Sequence, residues 1–104
     1  MAPWTFLTNH ALVLSSIARN PTVTAREVAV SVGITERAVR KIIADLEAEG
    51  YITKKKEGRR VKCRINPGLS LRHHTQQETE VGSFLEVLGW RRRRRRTIKE
   101  KETD

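Results

Sequence analysis

Apolar residues recur at helical spacing in three successive segments of the first half of the chain. Each segment begins at a residue that can cap a helix and ends at a residue or pair that stops one. The predicted helices run from Thr8 or Asn9 to about Arg19, from Thr24 to about Val32, and from Thr35 to Glu49. Their apolar stripes are Val13, Leu14, Ile17 and Ala18; Val28, Ala29 and Val32; and Val39, Ile42, Ile43 and Leu46.

The second and third predicted helices are joined by a tight turn at Gly33. Thr24 and Glu27 have the spacing of a capping box, in which each side chain satisfies a free backbone N–H of the other residue. Ala29 is small enough to let two helices cross closely, and Gly33 can adopt the left-handed conformation that ends a helix. Apolar residues that can fix the crossing angle flank the turn at Val28, Val32, Ile34, Val39 and Ile42. The pattern predicts a helix-turn-helix.

After Gly50 the apolar periodicity changes to that of β-strands. Segments 51–56 and 61–65 predict a β-hairpin with Gly58 at its tip. Apolar residues alternate with basic ones in the second strand, which predicts one covered and one basic face: Val61, Cys63 and Ile65 against Lys62 and Arg64. Cys63 is therefore interpreted as a small covered core residue rather than a redox switch.

The remaining third of the chain contains one more helical pattern and a charged tail. Residues 69–76 look irregular, and a last helix is predicted over 77–88. Residues 1–89 are thus interpreted as one mainly α domain with a small hairpin (α+β), a winged helix-turn-helix with an N-terminal extension and a C-terminal helix. Residues 90–104 include six consecutive arginines, whose mutual repulsion predicts a disordered tail.

The net charge of +9 lies mainly in two separate blocks. The first 53 residues carry no net charge, whereas residues 54–64 carry +6 and residues 91–104 carry +5. Two basic blocks favour nucleic acid over a membrane surface as the partner. A single cysteine, short apolar runs and the lack of a secretory signal pattern in residues 1–20 favour a cytoplasmic protein with no membrane association.

Catalytic and metal chemistry have little support in the sequence. There is no Ser/His/Asp set, no glycine-rich phosphate loop and no carboxylate pair, so no enzymatic activity and no cofactor are expected. The spacing of the histidines and the cysteine matches no established zinc pattern, so surface histidines are favoured over a metal site: His10, Cys63, His73 and His74.

Two stretches carry a family resemblance: A-R-E-V-A-V-S-V-G-I-T-E-R-A-V-R-K-I-I-A-D-L-E-A-E-G-Y-I and the basic wing K-K-K-E-G-R-R-V-K-C-R-I. Over residues 10–66 the chain resembles the winged helix-turn-helix domain of MarR-type transcriptional regulators. The resemblance implies that the third helix enters the major groove and that a wing arginine reaches the minor groove. It places Thr35, Arg37, Arg40 and Lys41 against DNA from the helix, and Arg59 and Arg60 from the wing. Full-length members carry longer flanking helices, which leaves any small-molecule effector of this chain unknown.

The residue chemistry supports the same surface independently of the family. Arg37, Arg40 and Lys41 can reach guanine O6 and N7 or a phosphate. Glu36 could accept from cytosine N4, although a solvated carboxylate is the favoured interpretation. The wing residues are better suited to phosphate contacts, which supply affinity without sequence choice. The full predicted set of DNA-binding residues is Thr35, Arg37, Arg40, Lys41, Lys54, Lys55, Lys56, Arg59, Arg60 and Lys62.

Apolar residues at both ends of the chain favour a homodimer over a monomer. The predicted interface consists of Trp4, Phe6, Val81, Phe84, Leu85 and Leu88. The C-terminal stripe could instead fold back on the first helix. In a twofold dimer, two recognition helices would meet palindromic half-sites about one DNA turn apart, ~34–36 Å.

The sequence therefore predicts a dimeric prokaryotic transcriptional regulator that binds double-stranded DNA at an operator. Two alternatives remain open. A winged helix can serve as a protein–protein module in a larger assembly, which the uncharged first half would suit. The basic wing and tail could also bind RNA, although few aromatic residues are available for stacking on bases.

Overall fold

The computed structural model describes residues 4–91 of the chain. In order, these residues form α1 (Asn9–Arg19), α2 (Ala25–Val32), α3 (Glu36–Ala48), β1 (Ile52–Glu57), β2 (Arg60–Ile65), a short 3-10 turn (His74–Gln76) and α4 (Val81–Val87). The predicted α+β winged helix-turn-helix is confirmed. The predicted arginine-rich tail lies outside the described residues from residue 92 onward.

Each of the first three helices begins with the predicted side-chain cap. The hydroxyl oxygens of Thr8 and Thr35 accept hydrogen bonds from the backbone N–H groups three residues later. Thr24 and Glu27 form the full capping box: the Thr24 N–H donates to Glu27 Oε1 at 2.9 Å, and the Glu27 N–H donates to Thr24 Oγ1 at 3.1 Å. These caps satisfy backbone donors that would otherwise have no partner in the first turn of each helix.

The turn between α2 and α3 depends on a left-handed residue at Gly33, whose φ is 86°. The N–H groups of Gly33 and Ile34 both donate to the carbonyl of Ala29, at 2.8 and 3.1 Å. Both bonds satisfy the carbonyl of a residue in the last turn of α2, as expected at a helix C-terminus. The turn then leads within two residues to Thr35, the cap of α3.

A single apolar core joins all four helices to the hairpin. α1 contributes most to it, and its buried residues face both α2 and α3. The buried apolar residues are Val13, Leu14, Ile17, Ala18, Val28, Ala29, Val39, Ile42, Leu46, Tyr51, Ile52, Cys63, Val81 and Leu85. The predicted stripes of the first three helices therefore meet in this core, except that Val32 and Ile43 are only partly buried at its edge.

The hairpin pairs Ile52 with Ile65 at its base and Glu57 with Arg60 at its tip. A two-residue turn at Gly58 and Arg59 closes it, and a positive φ of 63° at Gly58 followed by a non-positive φ has the sign pattern of a type II′ turn. The Cys63 N–H also donates to the Pro21 carbonyl at 2.9 Å. This bond ties the second strand to the link between α1 and α2.

The burial of the second strand agrees with the predicted alternation only near its base. Cys63 is buried, so its prediction as a covered core residue is confirmed. Val61, predicted to share the covered face, is 46% exposed. The reason is that it lies near the tip of the hairpin, opposite Lys56 and beyond the part of the sheet that packs on the helices.

The last helix is shorter than predicted, because α4 begins at Val81 rather than at residue 77. The preceding residues pair with an earlier segment instead: the Leu71 N–H donates to the Thr79 carbonyl at 2.9 Å, and Ser70 and Glu80 form an antiparallel bridge. The apolar residues of this segment pack on the core as their spacing predicts: Val81, Phe84, Leu85 and Leu88. That spacing gives no information about the pairing of Ser70 with Glu80.

The C-terminal stripe folds back on its own domain, the alternative that the sequence left open. Val81 and Leu85 are 2% and 0% exposed within one chain, and Phe84 and Leu88 pack on the same core. In this arrangement Val81 and Leu85 have no surface to offer a second copy, which corrects their assignment to a dimer interface. Trp4 and Phe6 are exposed, so a dimer through those residues stays a prediction.

Within residues 4–91, no helix is both long enough and apolar enough to cross a membrane.

The turn at Gly33 gives a direct test of this fold. A Cβ at Gly33 would meet no atom within 4 Å, so Gly33→Ala introduces only conformational strain. We expect a loss of about 1–2 kcal/mol in the free energy of unfolding, measured by urea denaturation. Gly68→Ala is the control, because Gly68 has open space and no positive φ. Equal stability of the two variants would contradict the left-handed turn.

Candidate nucleic-acid interface

The first turns of α3 present polar and basic side chains on the face opposite the core. Arg37, Arg40 and Lys41 are all exposed, as predicted for a recognition surface. Thr35 is exposed too, but its oxygen already accepts the Ala38 N–H at 3.0 Å as the helix cap. Its hydroxyl proton remains available as a donor, so Thr35 could still contact a phosphate.

Two of the three basic residues on this face are paired within the helix. Arg40 Nη2 donates to Glu36 Oε2, and Lys41 Nζ lies 3.7 Å from Asp45 Oδ1. Arg37 forms no ion pair with any described residue. The exposed face of α3 is therefore less positive than its count of basic residues suggests, and Arg37 is its most available cation.

The strand register divides the three consecutive wing lysines between the two faces of the hairpin. Directly paired residues of an antiparallel ladder share a face, and neighbours along a strand alternate. Lys55 thus shares a face with Lys62, whereas Lys54 shares the other face with Cys63. Lys54, Lys55 and Lys56 form one basic run in the sequence, but the strand register places Lys55 on the opposite face from its two neighbours.

Lys54 connects the wing to α3. Its Nζ lies 3.5 Å from Glu47 Oε1. This contact joins the base of β1 to the last turns of α3. Lys54 therefore has a structural partner as well as its predicted place in the DNA-binding set.

Lys55 and Lys62 have no comparable partner among the described residues. They face each other directly across the hairpin, and like charges in this position destabilise a sheet. Arg59 at the turn is exposed, as is Lys56. A phosphate backbone would relieve this repulsion, so the outer half of the wing is suited to bind a polyanion.

The second strand also approaches the start of α2 through Arg60. Hydrogen bonds from Thr24 lower the pKa of the Glu27 carboxyl, and the charge of Arg60 acts in the same direction. This places a predicted wing residue close to the capping box of α2. The charge of Arg60 on the wing thus acts on the start of α2.

His10 and Asp45 connect α1 to α3 behind the exposed face. His10 Nε2 and Asp45 Oδ2 are 2.8 Å apart, and this hydrogen bond is the main reason that the pKa of the Asp45 carboxyl is lowered.

His73 stacks on His74 with ring centroids 4.4 Å apart. Among residues 4–91, no group of three or more His, Cys, Asp and Glu side chains is placed to hold a metal ion. Burial raises the pKa of the Cys63 thiol, which keeps it in the less reactive form.

A groove of about 720 Å³ lies between α1, the end of α3 and the segment before α4. Leu14, Tyr51 and Phe84 form part of its apolar lining, and Phe6 stands at its edge with 92% of its surface exposed. The Tyr51 hydroxyl donates to the Ser70 carbonyl at 2.6 Å and fixes one wall. The volume of the groove falls in the range of small-molecule and cofactor sites.

Sequence reasoning located the exposed basic residues but not their acidic partners. The pairs Glu36–Arg40 and Lys41–Asp45 have i,i+4 spacing, which was a visible signal. The contact of Asp45 with His10 joins distant parts of the chain, and that of Glu47 with Lys54 joins α3 to β1 across the bend after α3, so no helical spacing could have shown either contact.

Comparison with known proteins agrees with this geometry. Residues 8–53 match a family model described as winged helix-turn-helix DNA-binding. The match covers the three helices and the start of the wing, and it does not distinguish a MarR-type regulator from other winged helices. No curated protein matches the chain. The fold and this match over residues 8–53 together support a winged helix-turn-helix DNA-binding domain in this chain.

The contact between His10 and Asp45 gives a pH-dependent prediction. Since the folded pKa of Asp45 lies below its ordinary value of 3.8, the ionised carboxylate adds stability that is present above that pH and lost as the pH falls through the folded pKa. We expect His10→Ala to raise the pKa of Asp45 toward 3.8, measured by NMR titration of the carboxyl carbons. The rise should be incomplete, because Lys41 still lowers the pKa.

Glu27 serves as the internal control in the same titration, because Thr24 rather than His10 lowers its pKa. Identical Asp45 titrations in the wild type and in His10→Ala would show that α1 and α3 are not joined by this contact in solution.

Proposed function

We propose that this protein is a sequence-specific double-stranded DNA-binding regulator of transcription in a prokaryote, with a MarR-like mode of docking. In this proposal α3 enters the major groove, and the wing lies on the flanking backbone and minor groove. The winged helix-turn-helix fold and the family match support DNA as the partner. The proposal needs no enzymatic step and no cofactor, and it places the protein in the cytoplasm, where a prokaryotic operator is found.

The observation that carries the proposal is that basic residues on both α3 and the wing have no carboxylate partner among residues 4–91. Arg37 on α3 has no described ion-pair partner, and Lys55 and Lys62 stand side by side on the hairpin. A recognition helix contacts base edges mainly through its first turns, where Arg37 lies. The wing cations are placed to contact phosphates beside that helix.

We further propose that two copies bind a palindromic operator as a homodimer. Trp4 and Phe6 support this, since they are 62% and 92% exposed and stack edge to face with ring centroids 5.2 Å apart. Two exposed aromatic rings next to an apolar groove are typical of an interaction surface. The same observation favours a second candidate, in which Trp4, Phe6 and the groove bind another protein while α3 and the wing bind DNA.

Arginine and lysine substitutions separate base reading from phosphate binding. Arg37→Ala should weaken binding to a duplex selected from a random pool and relax its base preference by about 1–3 kcal/mol. Lys55→Ala should weaken binding to all duplexes alike and reduce the salt slope by roughly one unit. Fluorescence anisotropy over a range of salt concentrations measures both effects, and a matched RNA duplex tests the RNA alternative.

Arg72→Ala is the matched control for this series, because Arg72 is exposed but lies at the groove, 3.9 Å from Glu49. It removes the same charge at a residue outside the predicted DNA-binding set, so it should change DNA affinity much less than Lys55→Ala. If Arg37→Ala and Lys55→Ala left every duplex affinity unchanged in moderate salt, DNA binding through this surface would be ruled out.

An aromatic-to-charge substitution tests the proposed dimer. Phe6→Asp should convert a dimer to a monomer in sedimentation equilibrium, because the charge would be desolvated at an apolar contact. Val30→Asp is the control, since Val30 is 80% exposed on α2 and does not line the groove. A molar mass unaffected by Phe6→Asp would exclude Phe6 from any subunit contact.

A further inference from the structure

The ion pair between Glu36 and Arg40 lies where the recognition helix would meet the bases. Glu36 is the first residue of α3, and Arg40 lies one turn further along the same face. Arg40 Nη2 donates to Glu36 Oε2, while the two side chains keep 67% and 43% of their surface exposed. The pair is therefore formed before DNA arrives, and both members remain accessible to it.

Glu36 occupies only part of the donor capacity of Arg40. A guanidinium has five N–H groups, and a single contact through Nη2 leaves the others free. Guanine presents two acceptors, O6 and N7, in the major groove, and an arginine can satisfy both. Arg40 can thus bind guanine without releasing Glu36.

The carboxylate of Glu36 likewise has lone pairs left to accept another hydrogen bond. In a G·C base pair, cytosine offers its N4 amino group as a donor beside guanine O6. No other base pair presents two acceptors next to this donor in the same order in the major groove. The paired side chains therefore match the edge of one G·C base pair.

A phosphate is a poorer partner for this pair than a base edge. Any phosphate that approached Arg40 would also approach the negative carboxylate of Glu36, and the two anions repel each other. Arg37 carries no such restraint. Arg37 can therefore contact a base edge or a phosphate, whereas Arg40 is directed away from non-specific backbone contact.

We infer that Glu36 and Arg40 act together as one specificity-determining unit that reads a single G·C base pair, Arg40 on guanine and Glu36 on its cytosine. This inference rests on the proposed function, because it assumes that α3 enters the major groove. It assigns to Glu36 a role in rejecting other sequences and non-specific DNA, whereas a solvated carboxylate would only reduce the total charge of the surface.

The experiment compares wild type, Glu36→Gln, Glu36→Ala, Arg40→Ala and the double variant Glu36→Ala with Arg40→Ala. Each is measured against a duplex selected by the wild type and against a scrambled duplex, at one fixed salt concentration. Base-pair substitutions in the selected duplex first identify the position that Arg40 reads. This is the G·C pair whose substitution weakens binding most for the wild type but has no effect on binding by Arg40→Ala. Thermal unfolding confirms that each variant is folded under the assay conditions.

We expect Glu36→Ala to bind the scrambled duplex more tightly and to lower the ratio of selected to scrambled affinity by about fivefold or more. Glu36→Gln should admit adenine at the identified position, since a glutamine amide can pair with adenine N6 and N7. In the Arg40→Ala background, removing Glu36 should leave the ratio unchanged, because the two residues act as one unit.

Glu49→Gln is the matched control, because it removes the same charge from the C-terminal end of the same helix, beside Arg72. It should shift both affinities by the same factor. The inference is overturned if Glu36→Ala also shifts both affinities equally, or if its effect is the same with and without Arg40. A wild type that prefers no duplex overturns the proposed function itself, a result distinct from these.

Discussion

The close crossing of α2 and α3 is the constraint on which the rest of the structure depends. Ala29 is small and buried at this crossing, and its carbonyl accepts both N–H groups of the turn that follows. Gly33 makes the turn possible because it adopts a positive φ at little cost. Without this geometry α3 would not project its first residues from the domain, and the wing that follows α3 would begin in a different place. The positions of the basic residues in the candidate nucleic-acid interface depend on it.

The basic residues on α3 and the wing differ in whether a carboxylate is paired with them. On α3, carboxylates of the same chain hold Arg40 and Lys41, and Glu47 holds the first lysine of the wing. In the hairpin, Lys55 and Lys62 have no such partner among residues 4–91, and they lie directly opposite each other. Uncompensated cations attract any polyanion, whereas cations restrained by a carboxylate favour a partner with the right arrangement of donors and acceptors. The wing is thus suited to supply affinity and α3 to supply discrimination.

Much of the fold could be predicted from the sequence because its signals are local. The caps at Thr8, Thr24 and Thr35, the turn glycine and the helical stripes each involve residues within a few positions of one another. The start of α4 could not be predicted, since it depends on the pairing of residue 80 with residue 70. The exposed basic residues of the candidate site could also be predicted from the sequence, but only some of the side chains that pair across the site could be. Glu36 lies four residues from Arg40, whereas His10 and Asp45 are 35 positions apart.

The most direct test of the account is to map the DNA contact on the folded protein by NMR. Amide and side-chain signals would be followed during titration with a duplex selected from a random pool. If α3 and the wing bind DNA, the largest changes will occur in residues 35–41 and in the hairpin around Lys55 and Lys62, with little change at Leu71 and Phe84 in the groove. Changes concentrated in the groove, with α3 and the wing unaffected, would contradict it.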